Sequence, residues 1–294
     1  MSEGSYSDRF SSYIKKVEAR LETIASQFGE SDDLALAISY SLRSGGKRLR
    51  PVITLMVAEA LGQNQVLDAA IALELFHTAS LLADDLPCMD DAQERRGQVA
   101  THRAFNEATS LLASYALIAK GYQLINENAC IFEKEQHIQV LHLALQNASE
   151  STGYWGASGG QYLDLYSKDV NAAVIDEVMR KKTGALFETA FLFGWLFGGH
   201  LLECSAVKQL GMDFGFAFQL IDDLLDYEED LSQKRKINHA LYFGIEATTQ
   251  CVRTLLHRCE QGLHTLGLAT EPLLGLVYMM RQRIENTTSL AQRA

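Results

Sequence analysis

Proline is scarce: Pro51, Pro87 and Pro272 are all there is in 294 residues. Because proline is the strongest interruption a helix can meet, its scarcity leaves long stretches free to run as helix, and Ala, Leu, Glu and Gln fill them. Basic charge is short as well. With 26 Lys and Arg against 37 Asp and Glu, the net charge is −11. That excludes a typical nucleic-acid binder, which holds phosphate backbones through a Lys/Arg surplus. Cysteine is limited to Cys88, Cys130, Cys204, Cys251 and Cys259. An odd set without close pairing points to reduced thiols rather than a disulfide framework. Long apolar runs are missing too. The best, about 190–199, is bounded by Glu188 and His200 and is too short to span a bilayer, so it reads as a buried helix. The polar segment 1–16 shows no signal-peptide core, and a soluble cytoplasmic protein is expected.

What remains is 47% hydrophobic and 21% charged, enough to bury a large core. Apolar residues recur at helical spacing from Tyr13 through Ile24, and further helices are expected over 34–42, 51–61, 66–85, 104–126, 133–151, 172–180, 183–197, 201–227, 237–262 and 271–287. The segment 66–85 is apolar almost all round, as suits the middle of a bundle. No Pro/Gly/Ser-rich linker or fixed-period repeat divides the chain. The expected fold is all-α, one large helical bundle over 1–294, with flexible ends at 1–10 and 288–294.

Two aspartate clusters stand at the polar ends of apolar helical stretches: Asp84-Asp85-Leu86-Pro87-Cys88-Met89-Asp90-Asp91 and Asp222-Asp223-Leu224-Leu225-Asp226. Carboxylates at this density repel one another unless a cation holds them, and hard ions such as Mg²⁺ take oxygen ligands of this kind. Two clusters suggest two walls of one metal-lined cavity. Asp84 and Asp90 are six apart and would not share a helix face, so Pro87 must bend the chain back. Asp222 and Asp226 are four apart and share a face unaided.

Basic residues supply the counterweight. Gly45-Gly46-Lys47-Arg48-Leu49-Arg50-Pro51 places three cations in a glycine-opened turn before a proline-started helix, where free backbone N–H groups also favour an anion. Arg95-Arg96-Gly97 follows the first cluster. Guanidinium is the natural bidentate partner of phosphate.

With Gly45 to Pro51, His77 with Ser80-Leu81, Asp84 to Asp91, Arg95-Arg96-Gly97, Gly159-Gly160-Gln161 with Asp164, Lys182-Thr183 and Phe218-Gln219 before Asp222 all in order, the chain resembles the trans-type (all-E) polyprenyl diphosphate synthases. The likeness runs from about Leu34 to Leu276 and is to the short-chain, farnesyl and geranylgeranyl kind. It implies helices around a deep central cavity, usually in a homodimer, that joins isopentenyl diphosphate to an allylic diphosphate. It further implies three Mg²⁺ ions bridging the allylic diphosphate to Asp84, Asp85 and Asp90 on one side and to Asp222, Asp223 and Asp226 on the other. Arg95, Lys182 and Lys236 would hold the allylic diphosphate; Gly46, Lys47, Arg50, His77 and Arg96 would hold isopentenyl diphosphate. Thr183 and Gln219 would offer oxygens to the allylic cation.

Two departures from the family pattern stand out. Tyr227 to Arg235 is short and lacks the usual Gly-Lys pair, so Lys234, Arg235 or Lys236 must substitute; and Ser114-Tyr115 stands where Gly-Asp is common, a change expected to affect packing. In the family's tail-receiving helix, the position five before the first aspartate is Ala79, next to Ser80, where farnesyl-specific bacterial relatives tend to carry an aromatic stopper. A small residue there opens the pocket, and Phe76 lies one turn of ~5.4 Å deeper. This favours a twenty-carbon over a fifteen-carbon product. A terpene cyclase needs only one diphosphate site, which the Lys47/Arg50 run, His77 and Arg96 argue against. A non-catalytic subunit of a heteromeric synthase is disfavoured by two intact aspartate motifs.

Overall fold

The structure, a computed structural model, describes residues 3–233, 235 and 237–291. In chain order the helices are α1 (Glu3–Phe28), α2 (Asp33–Leu42), α3 (Leu49–Ala60) and α4 (Leu67–Asp84), then a small antiparallel hairpin of β1 (Glu94–Arg95) and β2 (Gln98–Val99). There follow α5 (Thr101–Ala104), α6 (Glu107–Ala129), α7 (Lys134–Thr152), α8 (Ala157–Tyr166), α9 (Ala172–Val178) and a π-helical turn, Met179–Gly184. The remainder is α10 (Ala185–Phe197), α11 (Cys204–Leu225), α12 (Tyr227–Ser232), α13 (His239–Phe243), α14 (Ile245–Thr265) and α15 (Glu271–Ala291). The all-α expectation holds, and among the described residues no helix is long and apolar enough to cross a membrane.

Local differences from the periodicity have physical causes. Helix α8 lies where none is expected, because Gly159-Gly160 weakens its helical signal. The expected helix 201–227 stops at Leu225 and restarts as α12, and the expected helix 237–262 is split by Gly244 at φ +89°. Between α9 and α10 the backbone does not break but loosens into the π turn.

Two compact units emerge. The first runs from the N-terminus to Ala148 and takes in Phe193–Leu201; the second holds Ser149–Leu192 and the chain from Leu202 onward. In the first, α4 is the central element, with Ala69 through Phe76 buried all round. It packs on α6, where the Ser114 hydroxyl donates to the Ala79 carbonyl at 2.9 Å and Ser110 to Leu82 at 3.3 Å. The Phe76 ring lies over Gly121 and 5.1 Å from the Tyr122 ring. Ser114 thus acts in packing, as expected, while Tyr115 beside it is exposed. The second unit is built on α11 against α14, with Phe187, Phe191, Phe214 and Phe218 in ring contacts of 5.1–5.6 Å. Each fully buried aliphatic or aromatic side chain in these cores contributes roughly 1.5–3 kcal/mol.

Candidate active site

In the first unit, Asp84 closes α4 and Asp85 is its C-cap. Past Pro87 the chain folds back: the Asp90 N–H donates to the Asp84 carbonyl at 2.9 Å and the Ala92 N–H to that of Asp85 at 3.2 Å. The spacing of six is therefore closed by the backbone, as Pro87 requires. Asp85 is buried, and its Oδ1 accepts both Nε (2.8 Å) and Nη2 of Arg95 from β1. That contact raises the Arg95 pKa further, with Asp90 and Asp84 adding to it.

Arg96, the next residue, goes elsewhere. Its φ of 55° turns it from the path of Arg95, and it donates through Nη1 to the Gly45 carbonyl and lies 3.4 Å from His77 Nε2. Gly46 permits this approach. Its φ is +125°, and a Cβ there would stand 2.6 Å from Arg96 Cζ, so any side chain would push the guanidinium out. His77 is held well below the ordinary imidazole pKa by burial and then by Arg50 and Arg96. A neutral ring with Nε2 facing a guanidinium carries its proton on Nδ1.

The basic run splits by direction. Lys47 is exposed and Arg50 half-buried, but Arg48, at φ 47° the N-cap of α3, turns inward and is 2% exposed. Its guanidinium donates to Glu18 at 2.7 Å, to Glu74 at 2.6 Å and to the Leu42 carbonyl at 2.8 Å. Of the three cations in that turn, this one is structural. Two carboxylates and a carbonyl satisfy a charge that burial would otherwise make untenable.

In the second unit the π turn carries Lys182 and Thr183. Such a turn re-aims side chains that a regular helix would send elsewhere. The Gly160 backbone packs directly on that of Lys182, and Asp164, one turn further along α8, takes the Lys182 ammonium. Thr183 Oγ1 donates to Gln219 Oε1 at 2.7 Å, and Gln219 Nε2 donates to Asp223 Oδ1 at 2.8 Å. Asp223 Oδ2 accepts the His239 N–H at 2.8 Å. Both oxygens of Asp223 are thus engaged by neutral donors, and burial, with Asp230 and Asp222 nearby, pushes its pKa up to about 6. Asp222 is half-buried and accepts Arg283 Nη2 at 3.2 Å; Asp226 is exposed, its pKa raised by partial burial and then by Asp222.

The short segment after Asp226 is organised. Asn238 Nδ2 donates to the Asp223 carbonyl at 3.0 Å and to buried Asp230 at 2.8 Å, and Arg235 pairs with Asp230 at 3.3 Å. Lys234 and Lys236, two of the three expected substitutes for the missing lysine, lie outside the described residues.

Hard carboxylate oxygens suit Mg²⁺. Yet among the described residues no three acidic, histidine or cysteine groups already stand in metal-holding geometry. The donor set fits the ion, with two of the acids already on guanidinium groups, Asp85 on Arg95 and Asp222 on Arg283. Sequence reasoning does not single out two of the participants. Asp164 is visible there only as part of a motif, and Arg283 on α15 has no local signal.

A polyprenyl synthetase family model matches residues 31–240. A farnesyl diphosphate synthase of Haemophilus influenzae is 35% identical over 236 residues, 76% of this chain and 78% of that protein. Geranylgeranyl pyrophosphate synthase 12, chloroplastic, of Arabidopsis thaliana is 31% identical over 91% of this chain and 79% of its own length. A geranyltranstransferase structure from Thermotoga maritima aligns with a TM-score of 0.80 and 29% identity, covering 95% of this chain and 99% of that one. Motif order, the two acidic helix ends and these likenesses agree that the chain belongs to the polyprenyl synthetase family, as a short-chain trans-prenyltransferase.

Proposed function

We propose that the chain, as one functional domain in a cytoplasmic homodimer, condenses isopentenyl diphosphate head-to-tail with a dimethylallyl, geranyl or farnesyl diphosphate, and that its main product is geranylgeranyl diphosphate. One observation carries the two-diphosphate reading. The consecutive residues Arg95 and Arg96 serve different places, Arg95 the aspartates and Arg96 the Gly45-His77 cluster. A reaction with a single diphosphate has no use for that division.

On this reading Asp84, Asp85, Asp90, Asp222, Asp223 and Asp226 would hold three Mg²⁺ ions, with Asp85 and Asp223 also keeping the two acidic ends in shape through their hydrogen bonds. Bound Mg²⁺ would offset the charge that builds on the departing diphosphate, so it favours the transition state over the ground state. Arg95, Lys182 and Lys236 bind the allylic diphosphate. Gly46, Lys47, Arg50, His77 and Arg96 bind isopentenyl diphosphate, with neutral His77 contributing its Nδ1 proton as a donor. Thr183, whose proton is committed to Gln219, turns oxygen lone pairs toward the allylic cation, and Gln219 keeps Thr183 in that orientation. The departing diphosphate takes the final proton.

The twenty-carbon product rests on the small Ala79, with Ser80 beside it and Phe76 as the floor. A fifteen-carbon product is the second reading, favoured by Ala79 being 1% exposed at the α4–α6 seam and by the Phe76 ring being seated on Gly121. The homodimer reading rests on Leu112 and Tyr115 of α6 and Ile138 of α7, which are 52%, 58% and 58% exposed; sedimentation tests it, and a monomer would refute it.

Purified protein incubated with Mg²⁺, isopentenyl diphosphate and farnesyl diphosphate is expected to yield geranylgeranyl diphosphate by chromatography. Absence of condensation with every primer would sink the reading. A stop at farnesyl diphosphate from shorter primers would select the second. Ala79→Tyr is expected to shorten the product, and an unchanged product would mean that the tail does not pass there.

A further inference from the structure

Arg283 lies on α15, far along the chain from every acidic and basic run, yet its Nη2 donates to Asp222 Oδ1 at 3.2 Å. Its Cζ stands 6.0 Å from the ring centroid of Phe218, one turn before Asp222 on α11. The ion-pair side chains are 29% and 27% exposed, so solvent screens them less than a surface pair. The aromatic face beneath the guanidinium keeps it close to Asp222 and tolerates a cation in more than one orientation.

We propose that Arg283 exchanges partners during binding: it holds Asp222 in the ligand-free site and a diphosphate oxygen in the loaded one. The identity of that ligand rests on the prenyl-transfer reading above. A carboxylate oxygen that binds a divalent cation cannot keep a guanidinium at hydrogen-bond distance without strong like-charge repulsion. Metal-bound diphosphate brings acceptors that match the guanidinium fork, so the displaced side chain has a better partner within reach. Metal alone must therefore displace Arg283 without compensation, and diphosphate supplies the compensation. Binding of the two is coupled, and the coupling is reciprocal. Arg95 on Asp85 and Lys182 on Asp164 repeat the same arrangement, a cation expected to meet diphosphate parked on an acid.

The test uses the full chain and two probes, Mn²⁺ alone followed by electron paramagnetic resonance, and inorganic diphosphate in the presence of Mn²⁺ followed by titration calorimetry. Arg283→Gln is expected to bind Mn²⁺ alone about fivefold more tightly, since a competing cation is gone, and diphosphate about tenfold more weakly, since a charge-assisted bond is gone. A merely structural arginine would move both affinities the same way or neither, and either result overturns the exchange. Arg283→Lys keeps the charge and loses the fork, so it is expected to keep the wild-type Mn²⁺ affinity and bind diphosphate about threefold more weakly. If Arg283→Gln does not fold, this second variant decides, and wild-type affinity for both probes overturns the proposal. Wild-type protein that binds both probes but condenses no substrate refutes prenyl transfer instead, and leaves the exchange readable from the two affinities.

Discussion

At the end of α4 the buried aspartate, Asp85, meets a full positive charge from Arg95, while at the end of α11 the buried aspartate, Asp223, meets the Gln219 amide and the His239 backbone N–H. The first end is held by charge pairing and a proline-forced turn. At the second, Asp223 is held by neutral hydrogen bonds on a regular helix, and burial, with Asp230 and Asp222 nearby, pushes its carboxylate pKa up to about 6. The same residue type, repeated at a similar density, is stabilised by two different physical means. Charge pairing fastens the turn that folds back after Pro87, and neutral donors fasten the helix end from which the chain passes through Asp226 into α12.

Several substitutions would break or sharpen that contrast. The largest effects are expected if, as proposed, both ends act in the same chemistry. Asp84→Ala and Asp222→Ala should each lower kcat/KM by about 10²- to 10³-fold, and a variant at either end with near-normal steady-state kinetics would show that only one end takes part. Next comes the charge network beneath the first end. Arg48→Ala strands Glu74, which is 1% exposed, and should cost about 3–5 kcal/mol in urea unfolding. Arg50→Ala, by contrast, should weaken isopentenyl diphosphate binding with little loss of stability. Equal destabilisation by the two would erase the distinction between the fully buried and the half-buried arginine.

A smaller effect separates the buried aspartates themselves. Asp223→Ala removes the acceptor of the buried His239 N–H and of the part-buried Gln219 amide and should cost about 1–3 kcal/mol. Asp85→Ala leaves behind Arg95, which is 36% exposed and can be solvated, so the loss should be about 1 kcal/mol or less. The reverse order would mean that charge pairing, not the neutral network, is the stronger fastening. The smallest effect is on pH. Because the folded-state pKa of His77 lies below its unfolded value, the native protein binds fewer protons than the unfolded chain in mild acid. Stability should therefore fall as pH drops below about 6.5, by no more than about 1.4 kcal/mol per unit from this group. His77→Gln should flatten that slope in thermal melts, and an unchanged slope would place the acid sensitivity elsewhere.

Much of this was legible along the chain. Helix periodicity, the sparse prolines and the Gly45 to Pro51 turn all act over a few residues, and the local backbone obeys them. The bend at Pro87 was legible for the same reason, since proline cannot continue the helix and the aspartates must then come together. The role of Ser114 in packing was visible as a departure from a family pattern. What escaped was set by neighbours distant in sequence. Nothing near Arg48 marks it as buried while Lys47 is exposed and Arg50 half-buried; Glu18 and Glu74, on α1 and α4, decide that. Helix α8 was hidden because its glycines lower helical propensity; Gly160 lets its backbone press on the π turn, and Gly159 lies against the Tyr154 carbonyl.

The order of charged and apolar residues thus determined an all-helical chain with two acidic helix ends, and the family to which it belongs. Only the tertiary structure decided which charges are spent on holding the fold and which remain for a ligand. That choice depends on distances of a few ångströms between residues tens of positions apart, as between Arg96 and Gly45 or Arg283 and Asp222. Electrostatic interactions follow separation in space and burial, and a sequence specifies neither until the chain has folded.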